Sequence, residues 1–432
     1  MFSDEMKDAL PIDKTSEFLT TLNLQVGKIK NREFIKYENG SYASYKTSFE
    51  LAALKLNISI DNNQKINGLF VKPFVEEVWS INAINNLSIK ENLISKKQIK
   101  LIFEKSKFFP NHTQISIAFI KNGDISYYGI KRHNDTISTF DNHKSIFEIG
   151  SITKVFTSTL LANFIINKKI KLNDNINDYL NIPFNNNSKI SFKSLANHTS
   201  GLPRLPTNLD LAILNPENPY KDYDKADLEY YLRESIELKE NLTGKYLYSN
   251  LGAGIIGYTL SEIENISYER LFNTLIFSKY NMLNSTFNHN ELNELLVKGL
   301  DTQGNEVPNW ELSVLASAGG ILSNVIDLAK YGIAQFDTLN KELELIRQKT
   351  FELNKNMDIG LGWHIIKSKL NNKWYWHNGG TGGYSSSMSI DVKNKNGIII
   401  LSNVSAFNPS KENIDKLCFE LMKTLKNNNP KP

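Results

Sequence analysis

Three short segments of the sequence contain the residue types needed for acyl-transfer chemistry. In the first, Ser151 lies three positions before Lys154, at the start of an apolar run with helical spacing. Residues i and i+3 share one face of a helix, so Lys154 is expected beside Ser151. The positive helix end would favour an oxyanion and lower the pKa of Lys154, leaving a neutral amine that can take the serine proton. A serine cap followed by a surface lysine is the alternative interpretation.

The second segment, Tyr248-Ser249-Asn250, precedes a helix of small residues that begins at Leu251. A tyrosine beside a lysine could carry a proton between the nucleophile and the leaving group. The amide of Asn250 could hold the Lys154 side chain and the substrate carbonyl. The chain has 18 tyrosines and many asparagines, so this triplet alone indicates little.

The third segment runs from Trp376 to Tyr384 and has four glycines in five positions beside a predicted strand. Glycines there let the backbone approach a ligand closely. The amides of Gly380 and Ser151 could then donate together to an oxyanion. A phosphate-binding loop is disfavoured because no Lys-Ser or Lys-Thr pair follows. A flexible turn is the other alternative. The residues expected to contact substrate here are Asn378, Gly379 and Thr381.

Composition excludes several classes of function. The 432 residues are 41% hydrophobic, which predicts a globular chain with two or three cores. The net charge of +4 is small, and the lysines alternate with acidic residues, so no nucleic-acid surface is predicted. Cys418 is the only cysteine, and the seven histidines lack zinc-site spacing, so no disulfide, metal or cofactor is expected. No apolar run is long enough to span a membrane.

Strand and helix patterns predict an α+β protein with two domains. Residues 1–75 read as a small α+β domain, 76–95 as a polar linker, and 96–428 as the main domain. The main domain has strands near both ends and helices between them. This order predicts an α/β sandwich: a central antiparallel sheet flanked by helices, with an inserted helical subdomain. The predicted strands and helices are Glu33–Glu38, Ser41–Leu51, Leu54–Ile60, Ile66–Val71, Lys96–Lys107, Ile115–Lys121, Asp124–Ile130, Gly362–Lys367, Lys373–His377, Ser386–Val392, Gly397–Asn403 and Lys411–Leu425.

The three segments, in this order, resemble the penicillin-binding-protein and class C β-lactamase superfamily of serine hydrolases. The stretches 195–203 (LANHTSGLP), 316–323 (ASAGGILS) and 360–363 (GLGW) resemble further recurrent pieces of that family. The resemblance covers about residues 95–428. Residues 1–75 more weakly resemble part of a cone-shaped domain of the nuclear-transport-factor-like type.

The resemblance implies a role for each candidate residue. Ser151 would be acylated, Lys154 would activate it, Tyr248 would relay the proton, and Asn250 would orient Lys154 and the substrate. His377 lies where β-lactamases and many transpeptidases have a lysine. A mostly neutral imidazole pairs weakly with a carboxylate, so poor penicillin hydrolysis is expected. The implied substrates are esters, D-amino-acid amides and short peptides, including cell-wall-derived ones, cleaved without a cofactor.

Two further expectations concern activity and compartment. A ligand sensor or scaffold that turns over slowly or not at all is the alternative to an enzyme. The chain begins Met-Phe-Ser-Asp-Glu-Met, which lacks the features of a signal peptide. The resemblance nevertheless implies export to the periplasm or cell surface, with a leader lost ahead of residue 1. The oligomeric state is open.

Overall fold

The computed structural model describes residues 2–9, 15, 18–19, 22, 26–38, 42–50, 53–74, 83–89, 94–209, 217–238, 242–367 and 372–425. The chain divides into two compact units, Met1–Val78 and Trp79–Pro432. The small first unit has a short helix, α1 (Asp4–Ala9), and a four-stranded antiparallel sheet. Its strands, in sheet order, are β1 (Ile29–Glu38), β2 (Tyr42–Phe49), β3 (Ala53–Ile60) and β4 (Ile66–Pro73). The four strands predicted from the alternation pattern are therefore present, with ends that differ by a few residues.

A ten-stranded sheet forms the centre of the second unit. Its members are β5 (Ile84–Asn86), β6 (Gln114–Lys121), β7 (Asp124–His133), β8 (Thr136–Thr139), β13 (Phe351–Asn354), β14 (Met357–Ile359), β15 (His364–Lys367), β16 (Lys373–Gly380), β17 (Ser385–Asp391) and β18 (Asn396–Ser402). Two short strand pairs lie outside this sheet. They are β9 (Phe147–Glu148) with β12 (Leu322–Ser323), and β10 (Gly299–Leu300) with β11 (Glu306–Val307). The order across the sheet is β13-β14-β15-β16-β17-β18-β6-β7-β8-β5. Every neighbouring pair is antiparallel except β5 and β8. The predicted antiparallel sheet is confirmed.

Helices cover both faces of this sheet. They are α2 (Lys96–Ser106), α3 (Thr153–Ile166), α4 (Phe192–Ala196), α5 (Lys225–Tyr230), α6 (Asn250–Glu264), α7 (Tyr268–Phe272), α8 (Val325–Ala334), α9 (Lys341–Ile346) and α10 (Glu412–Thr424). On one face α2 and α10 pack together and enclose one apolar core, which includes Ile102 and Leu417. A larger core on the other face joins the sheet to α3, α6 and α8. The sandwich with an inserted helical region is therefore as predicted.

Helix α3 is buried on every side over most of its length. Its residues from Thr153 to Phe164 are all buried. A helix that is apolar all round belongs in the middle of a protein rather than at its surface. This burial removes the side chain of Lys154 from water. No helix in the described part of the chain is both long and apolar enough to cross a bilayer.

A short strand lies within the predicted linker at 76–95. Its residues Ile84–Asn86 form β5, which pairs in parallel with β8 at the sheet edge, and the amide of Ile84 donates to Asp135 O. All three residues of β5 are exposed. A strand that buries no side chain has no alternating pattern, so the sequence did not indicate it. Residues 76–82 and 90–93 of the predicted linker are outside the described residues.

Candidate active site

The candidate nucleophile lies on a tight turn at the entrance to α3. Ser151 is the middle residue of a 3-10 turn, Gly150–Ile152, that leads directly into α3. Gly150 has φ +52°, and a Cβ there would lie 2.5 Å from the amide nitrogen of Gly380. Only glycine fits both the backbone angle and the close approach. The turn thus brings Ser151 next to the end of strand β16.

Lys154 meets Ser151 as the spacing predicted. Its Nζ lies 3.0 Å from Ser151 Oγ and donates to the carbonyl oxygen of Ala318 at 2.6 Å. The side chain is only 2% exposed. Burial, and secondly the positive charge of Arg204, lower the pKa of Lys154 well below its usual value. The predicted cause of this low pKa was the positive end of the helix, whereas desolvation is its main cause in the structure.

Tyr248 closes the same group of side chains. Lys154 Nζ lies 5.0 Å from the centre of the Tyr248 ring, and the ring of His198 packs against it at 4.4 Å. Burial raises the pKa of Tyr248 to about 12, although its hydrogen bond to Ser151 and the charge of Arg204 act in the opposite direction. The phenol therefore keeps its proton near neutral pH and can donate it.

Ser151 and Gly380, whose amides are the predicted oxyanion donors, border the same cleft. Ser151 is in the first turn of its helix, where amide groups have no intrahelical acceptor. Gly380 ends β16 and borders the same cleft as Ser151. The neighbouring Gly379 passes so close to this turn that a Cβ would lie 1.9 Å from Ile149 O, which also accepts a hydrogen bond from Ser386 Oγ at 2.8 Å. The turn and the strand are thus held at a fixed separation.

His377 is buried beside the phenol rather than exposed in the cleft. It is 1% exposed, and its ring centre lies 6.2 Å from that of Tyr248. Nδ1 lies 2.6 Å from the carbonyl oxygen of Asn378, and Nε2 has no hydrogen-bond partner. Burial, followed by the neighbouring His364 and Lys154, lowers the pKa of His377 well below its usual value. A neutral imidazole is therefore expected at His377.

Three more predicted site residues lie close to Ser151, and one of them lacks its predicted contact. Asn250 Oδ1 has no partner, so the predicted bond to Lys154 is not formed, because Ala318 O takes that place. Asn378 lines the cleft, but its amide nitrogen donates to Asp415 at 2.7 Å. Thr381 is buried, with its hydroxyl unpaired, and borders a small cavity of about 20 Å³ next to Ser151. Asn378 therefore borders the cleft itself, and Asn250 and Thr381 border the small cavity beside it.

A cleft of about 360 Å³ opens beside Ser151. Several residues that line this cleft or hold its walls in place were not predicted from the sequence. They are Arg204, Ala318, Ser386, Lys411, Glu412 and Asp415. Arg204 directly follows the 195–203 segment, so a closer reading of that segment could have found it. The residues at the start of α10 carried no sequence signal for the site, because this helix begins more than thirty positions after the last predicted site residue, Thr381.

Two family models match this chain. Residues 112–420 match the Beta-lactamase family, and residues 1–69 match a family of proteins of unknown function, DUF3887. A "Beta-lactamase" of Providencia stuartii is 29% identical over 50% of this chain and 54% of its own length. The chain thus spans about half of that relative.

Two solved structures share the fold. One is the octameric penicillin-binding protein homologue from Pyrococcus abyssi, with a TM-score of 0.63, 24% identity, and coverage of 76% of this chain and 77% of that one. The other is described as a β-lactamase/D-alanine carboxypeptidase from Pseudomonas syringae, with a TM-score of 0.62, 18% identity, and coverage of 78% and 98%. These two likenesses show the fold, and the family match covers most of the chain. The chain belongs to the Beta-lactamase family.

Proposed function

We propose that this protein is a serine acyl hydrolase that forms an acyl-enzyme on Ser151. The observation that carries the proposal is the 3.0 Å separation between Ser151 Oγ and the buried amine of Lys154. An amine whose pKa is lowered by burial is neutral at a pH where an exposed lysine is charged. It can therefore take the serine proton, which makes the hydroxyl a nucleophile.

The reaction would proceed in two halves. Ser151 Oγ attacks the substrate carbonyl carbon as its proton passes to Lys154, and the amides of Ser151 and Gly380 stabilise the oxyanion. The bond to the leaving group breaks while Tyr248, hydrogen-bonded to Ser151, supplies the proton to that group and regains a proton from Lys154. Water then attacks the acyl-enzyme, its proton returns to the serine oxygen, and the free acid leaves.

We propose esters, amides and short peptides as the substrates, including D-amino-acid and cell-wall-derived peptides. The cleft holds a small ligand, and the buried imidazole of His377 replaces the ammonium that would pair with the carboxylate of a penicillin. Turnover of β-lactams is therefore proposed to be poor. Such substrates would place the protein in the periplasm or at the cell surface, which fractionation of the producing cells can test.

The test is substitution of the nucleophile. Ser151→Ala should lower kcat/KM for short p-nitrophenyl esters by at least about a thousandfold and abolish labelling by a fluorophosphonate. Ser278→Ala is the matched control, because Ser278 is an exposed serine outside the cleft. Parental ester cleavage by the Ser151→Ala protein would show that the nucleophile is a different residue.

A slow sensor is the alternative, and the same experiment separates it from an enzyme. Intact mass measured after substrate addition would show a long-lived adduct on Ser151, with one burst of product and no steady turnover. Steady turnover with a short-lived adduct supports the hydrolase.

A further inference from the structure

One wall of the cleft has a positive charge that the described carboxylates leave uncompensated. Arg204 is exposed and lines the cleft together with Ser151 and Tyr248. Its guanidinium carbon lies 5.4 Å from the centre of the Tyr248 ring. Among the residues that the structure describes, no Asp or Glu forms an ion pair with Arg204. The guanidinium is therefore available to a ligand and already lies over the phenol.

The backbone that carries Arg204 is fixed to the segment that carries Tyr248. Arg204 O accepts hydrogen bonds from the amides of Asn250 at 2.9 Å and Leu251 at 3.1 Å. Ser249 Oγ donates to Pro203 O at 2.7 Å. The imidazole of the buried His198 accepts from the amide of Ser249 at 3.2 Å, which ties the start of the same loop to the same segment. Only the Arg204 side chain is free to move towards a ligand.

The other cation of the cleft is a weaker site for an anion. Lys411 lines the cleft together with Glu412 and Asp415. Glu412 also pairs with Lys416 at 3.2 Å, and Asp415 accepts a hydrogen bond from Asn378. Lys411 thus shares its part of the cleft with two carboxylates, whereas no described carboxylate pairs with Arg204, so a carboxylate ligand is attracted more strongly at Arg204. The carboxylate of a substrate is therefore expected on the side of the cleft where Arg204 lies next to Tyr248.

We propose that Arg204 binds the carboxylate of an amino acid that is the leaving group, so that the protein removes the C-terminal residue of a short peptide. This inference rests on the proposed function. Tyr248 delivers the proton to the leaving nitrogen, and in a C-terminal residue the carboxylate is one carbon away from that nitrogen. A guanidinium over the phenol meets the carboxylate through a charge-assisted, bidentate contact.

The overall step adds one water to one peptide bond. The C–N bond breaks, the serine oxygen holds the acyl part, and the C-terminal amino acid leaves with a proton on its nitrogen. Water then releases the shortened peptide as a free acid. The same contact would favour acylation by a β-lactam with a carboxylate beside its ring nitrogen, but it supplies nothing to the deacylation step. Slow β-lactam turnover is compatible with it.

The test compares two peptides with the same scissile bond. N-acetyl-D-alanyl-D-alanine has a free carboxylate, and its C-terminal amide does not. The wild-type protein should cleave the acid with a kcat/KM about 10–100-fold above that of the amide, which is the range for one charge-assisted contact. Arg204→Gln should bring this ratio close to one, mainly through KM, and Arg204→Lys should recover part of it. All rates are compared on the pH plateau of each variant.

The controls decide which cation is responsible. Lys411→Gln removes the other positive charge of the cleft, and Arg270→Gln removes an exposed arginine outside it; both should keep the wild-type ratio. Loss of the preference in Lys411→Gln but not in Arg204→Gln would overturn the proposal. Equal cleavage of acid and amide by wild-type protein, or Ser151-dependent esterase activity without cleavage of either peptide, would also overturn it. If Ser151→Ala retains activity, the proposed function itself fails.

Discussion

At the scale of single residues, the site depends on the amine of Lys154, which is costly to keep charged in its buried position. Lys154 has two polar partners, Ser151 Oγ and Ala318 O, and neither carries a negative charge. A buried cation without a counter-ion loses its hydration, and the protein responds by losing the proton. The property that makes Lys154 a base therefore lowers the stability of the fold.

Lys154→Met should inactivate the protein while stabilising it. At neutral pH the unfolded lysine binds a proton that the folded one binds less tightly, so wild-type stability rises with pH towards the ordinary lysine pKa of 10.5. Methionine is similar in size and needs no hydration, so the free energy of unfolding should rise by about 0.5–2 kcal/mol near pH 7. Urea unfolding at several pH values measures this.

The gain in stability should shrink as the pH approaches 10.5, because the unfolded lysine also becomes neutral there. Lys355→Met serves as the control, since Lys355 is exposed and its removal should change stability little. A Lys154→Met protein that is less stable at pH 7, by an amount independent of pH, would contradict this account.

At the scale of elements, the site depends on the separation between one turn and one strand. The turn Gly150–Ile152 holds Ser151, and strand β16 ends at Gly380. The two approach so closely that glycine is needed on both sides. The glycines of this segment thus allow the end of β16 to pack directly against the turn that carries Ser151.

Gly379→Ala should damage both stability and catalysis. The new methyl group would lie 1.9 Å from the backbone oxygen of Ile149, so the strand or the turn must move. Overpacking of this kind costs about 1–3 kcal/mol, and a shift of about 1 Å at a reacting group costs about a hundredfold in kcat/KM. Thermal unfolding and ester kinetics report the two effects.

Gly252→Ala is the matched control for this substitution. A Cβ at Gly252 would make ordinary contacts of 3.5 Å inside helix α6, so stability should stay the same or rise by about 0.5–1 kcal/mol. Equal behaviour of the two variants would mean that the turn and strand are not tightly spaced.

At the scale of the whole molecule, the catalytic group belongs to one of the two compact units. All candidate site residues lie between 151 and 381, inside the unit Trp79–Pro432, which has its own two large cores. The first unit has a separate small core around Phe49 and Leu54. Nothing in the described chemistry needs the first unit.

Removal of residues 1–78 should leave a folded and active protein. The cut keeps strand β5, which begins at Ile84 and completes the sheet edge. A unit with its own core folds independently, so kcat/KM for a small ester should stay within about threefold of the full chain. An insoluble or inactive product, with the full-length protein active in parallel, would show that the first unit is required.

The sequence by itself determined several strands of both sheets, the first and last helices of the main domain and the pairing of Ser151 with Lys154. These features depend on local periodicity, because an i, i+3 pair on a helix is close whatever the rest of the chain does. The four strands of the first unit and the strands near the C-terminus follow from the same kind of pattern. The exposed edge strand β5 has no such pattern and was missed.

Only the tertiary structure decided how the site is completed. The acceptor for Lys154 is Ala318, more than 150 residues away, and Asn250 does not take that role. Arg204 gains its position through backbone bonds to a different segment, and Asp415 through a helix from the end of the chain. Contacts and burial of this kind arise when distant segments pack together, and they set the pKa values and free charges of the cleft. Local sequence patterns do not predict these contacts, because periodicity depends only on neighbouring residues.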